Sequence, residues 1–147
     1  MLLTGTFKRA VDEKLRLAIP KRFRDSIRTA EDETPVLYIA PGTDGSLTLY
    51  TEASFTRLAD QLDGASPTGK DVRAFSRLFF SRAESVEIDR QGRIRIPTEL
   101  AELAAIKSEA MLIGVRDRME IWDTKRWQEY ISSNEAEYDA LAEKALR

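Results

Sequence analysis

Two segments of this chain are versions of one another, and any fold it adopts has to place both. Val11-Asp12-Glu13-Lys14-Leu15-Arg16-Leu17-Ala18-Ile19-Pro20 aligns without gaps on Ile88-Asp89-Arg90-Gln91-Gly92-Arg93-Ile94-Arg95-Ile96-Pro97, 77 positions later, with Asp, Arg, Ile and Pro identical. A second pair follows in the same order. Leu47-Thr48-Leu49-Tyr50-Thr51 with Phe55 matches Met119-Glu120-Ile121-Trp122-Asp123 with Trp127. Two blocks duplicated in one order make this a two-repeat protein, whose copies can share an interior that neither builds alone.

Each repeat has the same coarse plan. Val86, Ile88, Ile94 and Ile96 are apolar at alternate positions, which predicts two strand arms around a turn at Arg90-Gln91-Gly92. Gly92 suits a turn position of positive φ, and Pro97 ends the second arm where a short helix can start. Leu100, Leu103 and Ala104 give that helix its apolar face, and a second hairpin has arms over 111–115 and 119–122. The first repeat has arms near 10–11 and 17–19, a helix with Phe23 and Ile27 inward, and strands over 36–40 and 47–50. Phe55, Leu58, Ala59 and Leu62 share one face of a helix over Glu52–Asp63, with Gly64 at its C-cap. The cluster Ala65-Ser66-Pro67-Thr68-Gly69 is the clearest break, and a helix bearing Val72, Phe75, Leu78 and Phe79 follows it. The implied organisation is a first repeat over 1–64, a linker and helix over 65–83, a second repeat over 84–127, and a charged C-terminal helix over 128–147. Tyr130, Ile131, Tyr138 and Leu141 are the apolar positions of that last helix. Tyr50, Phe55, Trp122 and Trp127 recur at matching places and read as core.

The 147 residues contain no His and no Cys. Thiol nucleophiles, disulfides, Ser–His–Asp triads and the usual zinc sites are therefore excluded. The carboxylates are scattered, and Gly42 and Gly45 are not followed by the Gly-Lys-Ser/Thr of a phosphate loop. No catalytic residue, metal, cofactor or small-molecule substrate is expected, and the chain does not read as an enzyme. The longest apolar run, 110–115, is too short to cross a bilayer. Thr4 follows Met1-Leu2-Leu3 at once and leaves no secretory apolar region, so a cytoplasmic location is expected.

A net charge of −2 is not the usual footprint of a nucleic-acid binder. The average conceals an uneven distribution. Residues 8–28 hold eight basic side chains (Lys8, Arg9, Lys14, Arg16, Lys21, Arg22, Arg24 and Arg28) against Asp12, Glu13 and Asp25, while residues 129–147 carry five acids against two bases.

The segment Asp89-Arg90-Gln91-Gly92-Arg93-Ile94-Arg95-Ile96-Pro97 resembles the looped hairpin of the AbrB/SpoVT-like swapped-hairpin superfamily. The two-repeat arrangement narrows the resemblance to the MraZ family of bacterial transcriptional regulators. Gly5 ahead of Asp12, Arg77-Leu78-Phe79-Phe80-Ser81-Arg82-Ala83, Leu112-Ile113-Gly114 and Met119-Glu120-Ile121-Trp122 also fit, so the likeness spans roughly residues 2–127. It implies an α+β fold in which two swapped-hairpin repeats interlock into one β-barrel, with helices around it. It further implies a ring-shaped homo-oligomer, nucleoid-associated, that binds repeated promoter-proximal elements of double-stranded DNA. The implied target is the division and cell-wall gene cluster, including the protein's own gene, with repression as the outcome. In that family the D-x-x-x-R loops are associated with DNA contact, and here they fall on Asp12 to Arg16 and Asp89 to Arg93. One position departs: the first loop has Lys14-Leu15-Arg16 where the family usually has Lys-Gly-Arg. Either that loop takes a different turn, or Leu15 bears the strain of a left-handed conformation, about 1–2 kcal/mol.

Arg16 and Arg93 are the sharpest DNA-binding candidates, because a guanidinium can hold guanine O6 and N7 with two hydrogen bonds or grip a phosphate. The plainer reading makes each an internal brace, bonded to Asp12 or Asp89 across its turn, and the two roles are compatible. Asp12, Asp89 and Gly92 are read as loop-bracing. Lys8, Arg9, Lys14, Arg90 and Arg95 are candidates for phosphate contacts, against a reading as solvated strand and turn charge. Lys21, Arg22 and Arg24 follow Pro20 on a helix and are candidates for a subunit contact. The alternative function is a protein-interaction module, an antitoxin-like scaffold on the same hairpin fold.

Overall fold

The computed structural model describes residues 2–27, 35–65 and 68–147; Arg28 of the basic segment and Ser66-Pro67 of the inter-repeat break lie outside them. The first repeat comprises β1 (Thr6–Ala10), β2 (Arg16–Ala18), α1 (Lys21–Ile27), β3 (Val36–Pro41), β4 (Leu47–Thr51) and α2 (Glu52–Asp63). Then come α3 (Lys70–Arg82), β5 (Glu84–Glu87), β6 (Arg93–Arg95), α4 (Thr98–Leu103), β7 (Glu109–Val115) and β8 (Arg118–Asp123). The chain finishes with α5 (Thr124–Asn134), a 3-10 turn at Glu135–Glu137 and α6 (Tyr138–Ala145). The C-terminal helical segment thus begins four residues ahead of Gln128, and the 3-10 turn divides it in two.

The fold is mixed α+β, and its strand pairing carries the imprint of the duplication. All pairs are antiparallel, in a six-stranded sheet of order β1-β7-β8-β4-β3-β5 and a separate ribbon of β2 with β6. Exchanging the repeats turns β1 into β5, β7 into β3 and β8 into β4, and so maps this order onto itself. The registers obey the same exchange. Leu17 faces Ile94 between Arg16↔Arg95 and Ala18↔Arg93, and Thr48 faces Glu120 between Leu47↔Ile121 and Leu49↔Met119. A pseudo-twofold axis therefore runs through the Leu17/Ile94 and Thr48/Glu120 pairs. The first arm of each hairpin pairs with a strand of the other repeat: β1 with β7, and β5 with β3.

Alternation places Leu37, Ile39, Leu47, Leu49, Ala110, Leu112, Met119 and Ile121 on one face of the sheet, all buried. Leu17 and Ile94 from the ribbon, Ile19 and Ile96 beyond it, Phe23 from α1 and Leu100 from α4 belong to the same core, so the interior draws on both repeats. The other face carries an aromatic cluster from each repeat. Tyr38 stacks on Phe55 at 4.5 Å with Phe79 of α3 nearby, and Trp122 meets Trp127 at 5.3 Å and Tyr130 at 5.0 Å. A capping box at Thr51 and Ser54 starts α2, and Gly64 caps its end. No helix among the described residues is long and apolar enough to cross a membrane.

Three expectations are corrected. No closed barrel is found among the described residues: the six-stranded sheet and the ribbon are separate ladders. The chain leaves the ladder at Asp12 to form a side-chain-bonded loop, and just beyond β1 the first arm joins β2 by the isolated Val11↔Leu17 bridge rather than a continuous ladder. Leu103 is exposed rather than inward, because α4 ends there after six residues and Ala101 takes the buried place beside Leu100. Of the four aromatic residues assigned to the core, only Trp122 is fully buried; Tyr50, Phe55 and Trp127 are half-buried beneath helices on the outer face.

Candidate nucleic-acid interface

Each hairpin turns on an aspartate. Asp12 Oδ1 accepts the backbone N–H groups of Lys14 and Arg16 at 3.0 and 2.8 Å, and its Oδ2 accepts Arg16 Nε at 2.7 Å. Asp89 repeats the pattern with Gln91 N and Arg93 N, both at 2.9 Å, and with Arg93 Nε at 3.1 Å. The backbone rungs match as well. Leu15 N donates to Asp12 O and Gly92 N to Asp89 O, while Asp12 N and Asp89 N donate to the carbonyls of Arg16 and Arg93. An aspartate suits this place because its short carboxylate reaches amides two and four residues on and still has an oxygen for the guanidinium. Exposed ion pairs contribute little to stability, so the brace matters for geometry: it fixes the direction of each arginine before anything binds.

The two loops are tied to each other across the pseudo-twofold axis. Ile19 N donates to the Gly92 carbonyl at 2.9 Å, and Ile96 N donates to the Leu15 carbonyl at 2.8 Å. Arg93 Nη1 also lies 3.9 Å from Asp12 Oδ2, so the second arginine senses both aspartates. On the ribbon, Leu17 and Ile94 point into the core while Arg16, Ala18, Arg93 and Arg95 share the outward face. Arg16 stands directly opposite Arg95. Like charges at facing positions destabilise a sheet, and among the described residues only the Arg16 side has a carboxylate, Asp12, to offset it.

Hydrogen bonding to the charged form holds both carboxyls below their ordinary value of 3.8: chiefly the Arg16 backbone N–H at Asp12 and the Arg93 backbone N–H at Asp89. A carboxylate with a lowered folded pKa contributes stability above its unfolded pKa and loses it as pH falls through the folded value. The loop contribution is therefore expected to be flat from about pH 8 to pH 5, to begin falling near the ordinary carboxyl value of 3.8, and to be lost only once pH drops below the lowered folded value. Urea midpoints across this range check it, and a variant carrying both Asp12→Asn and Asp89→Asn should show a smaller acid loss.

Leu15 has φ +60° and Gly92 has φ +78°, so the atypical first loop takes the same turn as the second and bears the strain. Its side chain is half-buried against the core. The helices above the loops explain how it fits. Arg24 lies over Gly92, whereas the residue 77 positions on from Arg24 is the small Ala101, so the repeat symmetry sets no long side chain against Leu15. Leu15→Gly relieves about 1–2 kcal/mol of strain but loses a partly buried side chain of about 1 kcal/mol, with a further backbone-entropy cost. Its stability is expected to stay within about 1 kcal/mol of the parent, while Leu15→Ala keeps the strain, loses the packing and costs about 1–2 kcal/mol. Equilibrium unfolding separates them; a glycine variant less stable than the alanine variant would contradict this account of the loop.

The remaining candidates divide by position. Lys14 and Arg90 are exposed within the two loops, beside Arg16 and Arg93, and Arg95 is exposed on the ribbon. Lys8 sits apart from this group: alternation along β1 turns it away from the core side, where it pairs with Glu109 at 3.4 Å. Arg9 is half-buried, its guanidinium over the Phe7 ring at 5.6 Å and bonded to the Lys8 carbonyl. Lys21 and Arg22 are exposed on α1. Arg24 is half-buried and lies against Gly92, a contact within the chain that its sequence reading as a subunit-contact candidate did not include. Its signal was present: Gly92 and Arg24 both depart from their counterparts Leu15 and Ala101, a paired difference that marks a contact between the second loop and α1.

A two-repeat α+β protein with two aspartate-braced arginine loops on one ribbon is thus defined by its own geometry, and comparison with known proteins gives it a family. Residues 79–147 match a family model described as "MraZ protein, putative antitoxin-like". The chain is 41% identical over 133 residues to the transcriptional regulator MraZ of Finegoldia magna, covering 90% of this chain and 89% of that one. It is 37% identical over 142 residues to the protein of that name from Lactiplantibacillus plantarum, covering 97% and 96%. With the one from Moorella thermoacetica the identity is 38% over 145 residues, covering 99% and 97%. The chain belongs to the MraZ family.

Proposed function

We propose that this chain is a sequence-specific DNA-binding transcriptional regulator whose reading heads are the Asp12–Arg16 and Asp89–Arg93 loops. The observation that carries the reading is the outward face of the ribbon: Arg16, Arg93 and Arg95 cluster there, two of them aimed by aspartates. A pre-aimed guanidinium is suited to a guanine edge, worth about 1–3 kcal/mol of discrimination, and the neighbouring Lys14 and Arg90 to phosphates. The names of the relatives favour the same role, and the reading involves no catalytic step.

The finer parts extend it. Interlocked swapped hairpins are the reading supported by the cross-repeat pairing of β1 with β7 and β5 with β3. One protomer offers few contacts, so tight binding needs several protomers on repeated operator elements, as a ring would provide. Linking such sites raises avidity by roughly 100- to 10,000-fold without a new kind of contact. Occupied promoter-proximal repeats would obstruct polymerase, which makes repression the favoured outcome and the cytoplasmic nucleoid the place of action. The division and cell-wall cluster, with the protein's own gene, enters as target through the family resemblance. In a purified transcription assay, the protein is expected to lower run-off from its own promoter, and light scattering is expected to give a closed oligomer; undiminished transcription by a protein bound at that promoter would remove repression.

The description "antitoxin-like" for residues 79–147 favours a second reading, a scaffold that binds a partner protein. Salt separates the two. Phosphate binding weakens with log K falling by about 0.9 per neutralised phosphate against log salt, whereas an apolar protein contact tolerates salt.

A further inference from the structure

Helix α1 brings one cation against the second loop. A Cβ built on Gly92 would lie 2.8 Å from Cζ and Nη1 of Arg24 and 2.9 Å from its Nε, so the guanidinium rests directly on the Gly92 backbone. Arg24 Nε donates to the Ile19 carbonyl at 3.0 Å, and Ile19 N donates to the Gly92 carbonyl at 2.9 Å. This circuit locks the side chain in place and leaves both terminal nitrogens of Arg24 without an acceptor among the described residues. The side chain is half-buried. Its terminal N–H groups stay open to solvent, and the two unesterified oxygens of a singly charged phosphodiester can accept both in one charge-assisted, two-pronged contact. Arg16 and Arg93 differ in that each gives its Nε to a carboxylate that offsets its charge, whereas Arg24 gives its Nε to a carbonyl and pairs with no carboxylate among the described residues. The first loop has no counterpart arginine, because the residue 77 positions on from Arg24 is Ala101.

We propose that Arg24 completes a phosphate-binding site at the second loop, next to Arg93, so that the Asp89–Arg93 loop contributes more DNA affinity than the Asp12–Arg16 loop. The proposal rests on the DNA reading above and assigns the phosphate grip to Arg24, leaving Arg93 free for a base edge. Its position on the Gly92 backbone also couples the grip to the loop's own conformation.

Anisotropy titrations of the full-length oligomer on a duplex from upstream of its own gene, over a salt series, test it. Arg24→Gln keeps an N–H donor for the Ile19 carbonyl but carries no charge. It is expected to weaken binding about 10-fold per engaged protomer and to flatten the slope of log K against log salt by about 0.9 per protomer. Arg24→Met, which keeps the packing stem, makes the same test should the glutamine variant unfold. A folded variant with unchanged affinity overturns the proposal, and so does one with weaker binding but an unchanged salt slope, which would assign Arg24 a purely structural role. Arg93→Ala, run in parallel, separates the levels: if it abolishes binding while Arg24→Gln is silent, only this proposal fails. If neither matters, the DNA reading itself fails.

Discussion

Arg93→Ala is expected to abolish sequence-specific DNA binding while leaving the oligomer and the unfolding midpoint essentially unchanged. The structural loss is small: the side chain lies on the outward face of the ribbon, and Asp89 keeps its bonds from Gln91 N and Arg93 N after truncation. The functional loss is large because it recurs in every protomer. Each missing two-pronged contact removes about 1–3 kcal/mol of discrimination, and several engaged protomers multiply that on linked operator elements. Arg93→Lys sharpens the test. Lysine keeps the charge but not the planar fork, so non-specific, salt-sensitive binding should survive while preference for the operator falls. Mobility shifts against operator and scrambled duplexes, with light scattering and a thermal melt on the same samples, read all three quantities.

The second large effect lies beneath the same arginines. Leu17 is fully buried and faces Ile94 across the ribbon. Leu17→Ala is expected to cost about 2–5 kcal/mol, the range for a large aliphatic side chain removed from a packed core. Against a typical total of about 5–15 kcal/mol, this is enough to unfold a substantial fraction of molecules near growth temperature. Because the core draws on both repeats, unfolding should remain one cooperative transition in parent and variant. Two separated transitions, or a cost below about 1 kcal/mol, would mean that the repeats do not depend on one another at this point.

Much of this was legible in the residues. Alternation at Val86, Ile88, Ile94 and Ile96 marked the hairpin, the helix over Glu52–Asp63 has the bounds its periodicity and Gly64 indicated, and the repeated Asp and Arg marked the braced loops. What escaped was set by distant partners. Leu103 sits on the expected helical stripe, but only tertiary packing decides that Ala101 is the residue turned inward. The closed barrel did not follow from the strand pattern, because the aspartates draw the chain out of the ladder and leave an isolated bridge, Val11↔Leu17, in place of a continuous one. Leu15 is an unfavourable residue for a left-handed turn, and the small residue equivalent to Arg24, Ala101, stands 86 positions away in the chain. Arg24 likewise reads as an ordinary surface helix residue until Gly92, 68 positions away, is placed beneath it.

The central claim is that two aspartate-braced arginine loops form a DNA-reading face. A nuclease footprint of the pure protein on DNA upstream of its own gene, at low and at physiological salt, tests it most directly. The account predicts discrete, regularly spaced protections that weaken steeply with salt and disappear with Arg93→Ala. Protection that spreads evenly over unrelated DNA, or none at low salt, would contradict it.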